Sequence, residues 1–116
     1  MADQILFLGW NRSVTGREQQ AMKMFEKSME FFGKLQADGR IESFEPVLLS
    51  AHGGDLNGFT LLRGDADKLV KVRQDDTFIN LIIEANYCLE DFGLITGFIG
   101  EGLTDLFARY SELIGA

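Results

Sequence analysis

Few side chains in this sequence are of types that do chemistry, and they are scattered along the chain. His52 is the only histidine, set in the glycine-rich connection His52-Gly53-Gly54-Asp55. An imidazole there, titrating near neutrality, suits a general base or a single ligand, and it equally suits a solvated loop. Arg63 ends a stretch in which Phe59, Leu61 and Arg63 share one side and Thr60 and Leu62 the other. If the Arg63 side lines a pocket, its planar guanidinium can hold a carboxylate or phenolate. Otherwise it pairs with Asp65, Asp67 or a neighbouring carboxylate. Trp10 closes an apolar run and can wall an aromatic pocket, or belong to a core or an interface. Tyr87 and Cys88 stand just before another apolar stretch, and Cys88, the only cysteine, has no adjacent His or Lys to activate it. His52 and Arg63 are therefore the candidate catalytic residues. Trp10, Arg63 and Tyr87 are the candidate binding residues.

Other patterns have plainer explanations. One histidine without a Cys or Glu cluster is a poor metal site, so neither metal nor cofactor is expected. Gly97-Phe98-Ile99-Gly100-Glu101-Gly102 lacks the Lys-Ser/Thr of a phosphate loop and the order of a dinucleotide fingerprint. Glycines easing a strand end into a helix account for it. Arg63-Gly64-Asp65 spells an adhesion tripeptide, yet it reads as a strand-turn-helix joint. A net charge of -7 in 116 residues argues against nucleic-acid and anionic-membrane partners, which call for clustered Lys and Arg. No positively charged leader precedes the short run Ile5 to Leu8, and no stretch of about 18 apolar residues exists. A cytoplasmic protein of one domain, residues 1–116, is the expectation.

The elements that must position these residues follow in order. Gln4 to Trp10 forms a first strand, apolar enough to be covered on both faces. Thr15 and Glu18 have the spacing of a capping box, opening a helix from about Gly16 to Ala37. Its stripe is Met22, Phe25, Met29 and Phe32, widened by Met24, Phe31 and Leu35, and Asp38-Gly39 stops it with Gly39 as a left-handed cap. Ile41 to Ala51 is a second strand, and Pro46 places it at a sheet edge or bulge. The glycine-rich connection turns it into a hairpin with a third strand, Phe59 to Arg63. Asp65 can cap a short helix over Ala66 to Arg73, and Asp75 or Asp76 can cap another running to about Tyr87. That second segment is apolar nearly all round, so it should be largely buried. Phe92 to Ile99 is the fourth strand. Leu103, Leu106, Phe107, Tyr110, Leu113 and Ile114 then mark an amphipathic last helix beginning near Glu101.

This β-α-β-β-α-β order with an added C-terminal helix is the α+β, ferredoxin-like pattern, with both main helices on one face of an antiparallel sheet. A sheet with one wet face should alternate apolar and polar residues. Here Leu6, Leu8 and Trp10 oppose Ile5 and Phe7, and Ile95 and Ile99 oppose Leu94 and Phe98. The helices can cover only one face, and a second copy is the simplest cover for the other. The Arg63-Gly64-Asp65 joint, the Asp75-Asp76-Thr77-Phe78 restart and the apolar strand after it resemble the dimeric α/β-barrel proteins, over nearly the whole chain. That resemblance implies a homodimer joined through its sheet faces. The family includes antibiotic-biosynthesis monooxygenases, muconolactone isomerases and haem-binding members. With ten Phe in the chain, the resemblance points to an apolar pocket between sheet and helices that binds or transforms a small organic molecule. A non-catalytic structural or regulatory dimer is the alternative, since no His-Asp or paired-carboxylate constellation is visible.

Overall fold

In a computed structural model of the protein, which describes residues 1–115, eight elements follow one another. These are β1 (Gln4–Trp10), α1 (Glu18–Ala37), β2 (Ser43–Leu48), β3 (Gly58–Gly64), α2 (Ala66–Gln74), α3 (Asp76–Cys88), β4 (Gly93–Phe98) and α4 (Gly100–Ile114). The strands form one sheet in the order β2-β3-β1-β4, antiparallel throughout. The ferredoxin-like arrangement expected from the element order is thus the one found. No described helix is long and apolar enough to cross a membrane.

Pro46 sits on an edge strand, as its missing donor requires. Leu49 N–H donates to Asn57 carbonyl at 2.9 Å, so odd-numbered residues of β2 bond to β3. Pro46, opposite Thr60, therefore turns its nitrogen to the open edge and costs the ladder nothing.

The core lies between the sheet and α1, α2 and α3. Leu6, Leu8 and Leu62 from the strands meet Phe32 and Leu35 of α1, Leu69 and Val72 of α2, and Phe78 of α3, all buried. On α1 the buried line is Ala21, Met24, Ser28, Phe32 and Leu35, whereas Met22 is exposed. The buried line is thus rotated from Met22, Phe25 and Met29 toward Met24 and Leu35, the residues expected to widen the stripe, with small Ser28 at its middle. Its hydroxyl is satisfied by donating to the Met24 carbonyl at 2.8 Å. On α3, Phe78, Leu81, Ala85 and Cys88 are buried while Ile79, Ile83 and Tyr87 stand exposed, so the helix is not enclosed all round.

Three end details differ from the sequence reading or sharpen it. Helix α1 begins at Glu18 without a side-chain cap, and the Glu18 carboxylate accepts from Gly16 N–H at 2.9 Å, so Thr15 caps nothing. Asp65 holds the N-cap position of α2, but it is Asp3, just ahead of β1, that accepts from Ala66 N–H at 2.9 Å. Asp75 does cap α3, accepting from Thr77 and Phe78. Gly39, with φ of 73°, closes α1 as expected.

The opposite face of the sheet is left open. Ile5, Phe7, Phe59 and Leu61 are only half-buried there, and Ile95 is exposed. Helix α4 buries no residue, and its whole apolar stripe from Leu103 to Ile114 faces outward.

Candidate functional site

Between α1, α3 and the helix-facing side of the sheet lies a cavity of about 450 Å³. Strand β1 gives it Leu8 and Trp10, and β3 gives it Thr60. Helix α1 supplies Met24, Phe25, Ser28, Met29 and Phe32, and α3 supplies Phe78, Leu81, Ile82 and Ala85. Ala21 and Met22 of α1, edge residues Pro46, Val47 and Leu48, and Ser13, Leu89 and Phe92 complete the lining. The cavity exists because Ala21, Ser28 and Ala85 occupy buried helix positions where larger side chains would fill the gap.

Trp10 is held by its neighbours. Its ring lies against Gly58, where any Cβ would come within 2.6 Å of the indole. It meets Phe25 edge-on at a centroid distance of 6.3 Å. The loops beside it are tied by amides: Asn57 Nδ2 donates to Asn11 Oδ1, and Asn11 Nδ2 donates to Asp91 Oδ2 at 3.1 Å. Asp91 adopts a left-handed backbone, φ 57°, which an Asp tolerates better than most residues. This network fixes the segments that carry Trp10 and Phe92.

Among the described residues, no charged side chain, histidine, cysteine or tyrosine lines the cavity. Among these residues, the polar side chains in its lining are those of Trp10, Ser13, Ser28 and Thr60. Such a site solvates neutral, largely apolar matter and penalises an unpaired charge. Among the described residues no three His, Cys, Asp or Glu side chains converge as a metal-ligand set.

Of the residues singled out from the sequence, the structure brings only Trp10 to the cavity. His52 stays in its loop: Nδ1 accepts from Gly54 N–H at 3.1 Å, and Nε2 lies 2.6 Å from the Leu56 carbonyl. The tautomer with hydrogen on Nε2 satisfies both bonds, so the ring staples its own loop. A haem-binding reading needs His52 or another ligand to face the pocket, and His52 does not line it. Arg63 lies on the open face of the sheet and pairs with Glu45 at 3.0 Å. Tyr87 is outside the cavity, with the Arg17 guanidinium 3.8 Å above its ring. Cys88 is a buried free thiol.

The sequence reading missed Thr60, Met24, Ser28 and the small residues around them. Thr60 carried a signal, being a polar residue on the same inward parity as Leu62. The resemblance led to an apolar pocket between sheet and helices, but no residue signalled its shape or its lining, which arise from helices far apart in sequence.

No protein-family model matches this sequence, and no curated protein matches it. Solved structures resemble it in fold. A hydroxynitrile lyase from Passiflora edulis aligns with a TM-score of 0.63 at 10% identity, over 87% of this chain and 97% of that one. A dimeric protein of unknown function and ferredoxin-like fold from Bacteroides fragilis NCTC 9343 gives 0.58 at 10% identity, over 83% and 96%. SnoaB, a cofactor-independent oxygenase from Streptomyces nogalater, gives 0.50 at 17% identity, over 85% and 93%. The chain therefore has the ferredoxin-like fold that these proteins share.

Proposed function

We propose that the protein is a homodimer in which each subunit binds a small, uncharged organic molecule between its sheet and helices, without a metal. The observation that carries this reading is the cavity of about 450 Å³, lined almost wholly by aliphatic, aromatic and thioether groups. That size is within the range of small-molecule sites. Trp10 is the wall a planar ligand would stack on. Among proteins of the same fold, one is a hydroxynitrile lyase and another a cofactor-independent oxygenase, and this supports a ligand-binding use of such a site. The half-exposed face with Ile5, Phe7, Phe59 and Leu61 supports the dimer, because a second copy removes it from water.

Titration with the neutral probe N-phenyl-1-naphthylamine tests the site. Saturable binding that quenches Trp10, the only tryptophan, is the expected result. A linear, unsaturable response with unchanged Trp10 emission refutes the reading.

One observation favours the non-catalytic alternative, a structural or regulatory dimer. The lining offers hydroxyls and an indole N–H but no group that ordinarily serves as a strong base. Recovery of every bound compound unchanged fits that alternative, and turnover of any of them excludes it.

A further inference from the structure

The cavity's polar groups are not equivalent. The Ser28 hydroxyl is already spent on the Met24 carbonyl at 2.8 Å. Ser13 and Trp10 are half-exposed. Thr60 is different, being only 3% exposed in the middle of β3, on the side that faces the helices. Among the described residues its hydroxyl has no hydrogen-bond partner. Yet among these residues no side-chain oxygen or nitrogen that is sealed from solvent lacks one. The Thr60 hydroxyl must therefore keep open surface, and the opening beside it is the cavity that Thr60 lines. Buried hydroxyls without partners are costly and uncommon.

We infer that Thr60 is the recognition residue of this cavity. Its hydroxyl donates a hydrogen bond to a carbonyl or hydroxyl oxygen of a ring-bearing, uncharged ligand whose hydrocarbon part packs on Phe25, Phe32 and Met24. This rests on the small-molecule reading above and adds to it the chemical class of the ligand and the end that points at the sheet. An anionic ligand is disfavoured, since no cation lines the cavity to pair with it. A pure hydrocarbon is also disfavoured, since it leaves the Thr60 hydroxyl dry and unpaired. Selectivity then comes from the ketone or alcohol oxygen, and most of the affinity comes from apolar burial.

A matched pair of probes tests this, 1-tetralone and its oxygen-free counterpart tetralin. Both are measured by calorimetry against the whole protein and against Thr60→Val and Thr60→Ser, with folding checked by circular dichroism. The wild type should prefer tetralone, beyond the difference in their partition from water, by about five-fold, the size of one net hydrogen bond. Thr60→Val should abolish that preference while still binding tetralin, and Thr60→Ser should keep it. If both probes bind and Thr60→Val keeps the preference, the Thr60 assignment is wrong and the pocket stands. If neither probe binds the wild type, the pocket reading falls, and this inference with it. Should Thr60→Val not fold, equal corrected affinities of the wild type for the two probes overturn the assignment by themselves.

Discussion

Gly58 decides where the Trp10 indole sits. The ring occupies the space a Cβ would need, at 2.6 Å from that position. Gly58→Ala should push the indole away and disturb its edge contact with Phe25. Overpacking of this kind costs about 1–3 kcal/mol. Trp10 emission reports the shift directly, so Gly58→Ala should move its maximum and weaken neutral-probe binding several-fold. An unchanged spectrum would mean the ring is not held as described. At this scale the sequence marked Trp10 for a pocket wall but gave no reason to choose Gly58 as its seat. The two residues are opposite one another in the β1–β3 register, and that pairing becomes visible only when the strands are laid side by side.

Helix α3 carries one wall of the cavity, and its start depends on Asp75. The carboxylate accepts from Thr77 and Phe78 N–H and pairs with Arg40 at 3.0 Å. Burial works to raise its pKa, but the Arg40 hydrogen bond, the two backbone donors and the Arg40 charge together hold it below the ordinary aspartate value. The folded state therefore favours the ionised form. Its contribution is fully present above the unfolded pKa, about 3.9, and disappears as pH falls through the lower folded value. Asp75→Ala should lower stability by about 1 kcal/mol at pH 7. In thermal melts that gap should narrow steadily below about pH 4. A gap that widens with acid would contradict the assignment.

Helix α4 belongs to the same scale and behaves in the opposite way. It has the cleanest stripe in the chain, yet it buries none of it. Charging that stripe, as in Phe107→Glu, should change the stability of an isolated subunit by no more than about 0.5 kcal/mol, as for an ordinary surface site. Its effect should appear in self-association, measured by sedimentation at several concentrations. A large loss of stability in dilute, monomeric protein would show that α4 packs on its own chain. Periodicity announced this helix, but it could not say that the stripe would find no partner within the subunit.

For the molecule as a whole, the radius of gyration is 15.8 Å, against about 13 Å for a compact chain of this length. The excess reflects a sheet covered on one face and a helix standing clear. On the open face Phe7 stacks on Phe59 at 5.1 Å between centroids, and Leu61 stands across from Phe7 in the register. At micromolar concentration the protein should sediment at twice its 13.0 kDa subunit mass. Phe7→Glu should weaken the dimer at least ten-fold while leaving the helix-side core intact. A wild-type monomer at those concentrations would overturn the dimer.

Local pattern sufficed for the element order, the Gly39 stop and the two-sided apolarity of the strands, and it narrowed Pro46 to a sheet edge or bulge and the α3 cap to Asp75 or Asp76. These depend on neighbours within a few residues, where spacing and side-chain type carry the physics. Tertiary structure alone decided that small residues on α1 and α3 leave a cavity, that Thr60 opens into it, and that His52, Arg63 and Tyr87 turn elsewhere. Those outcomes depend on which faces meet across the sheet, and a volume left unfilled between distant segments leaves no mark on any one of them.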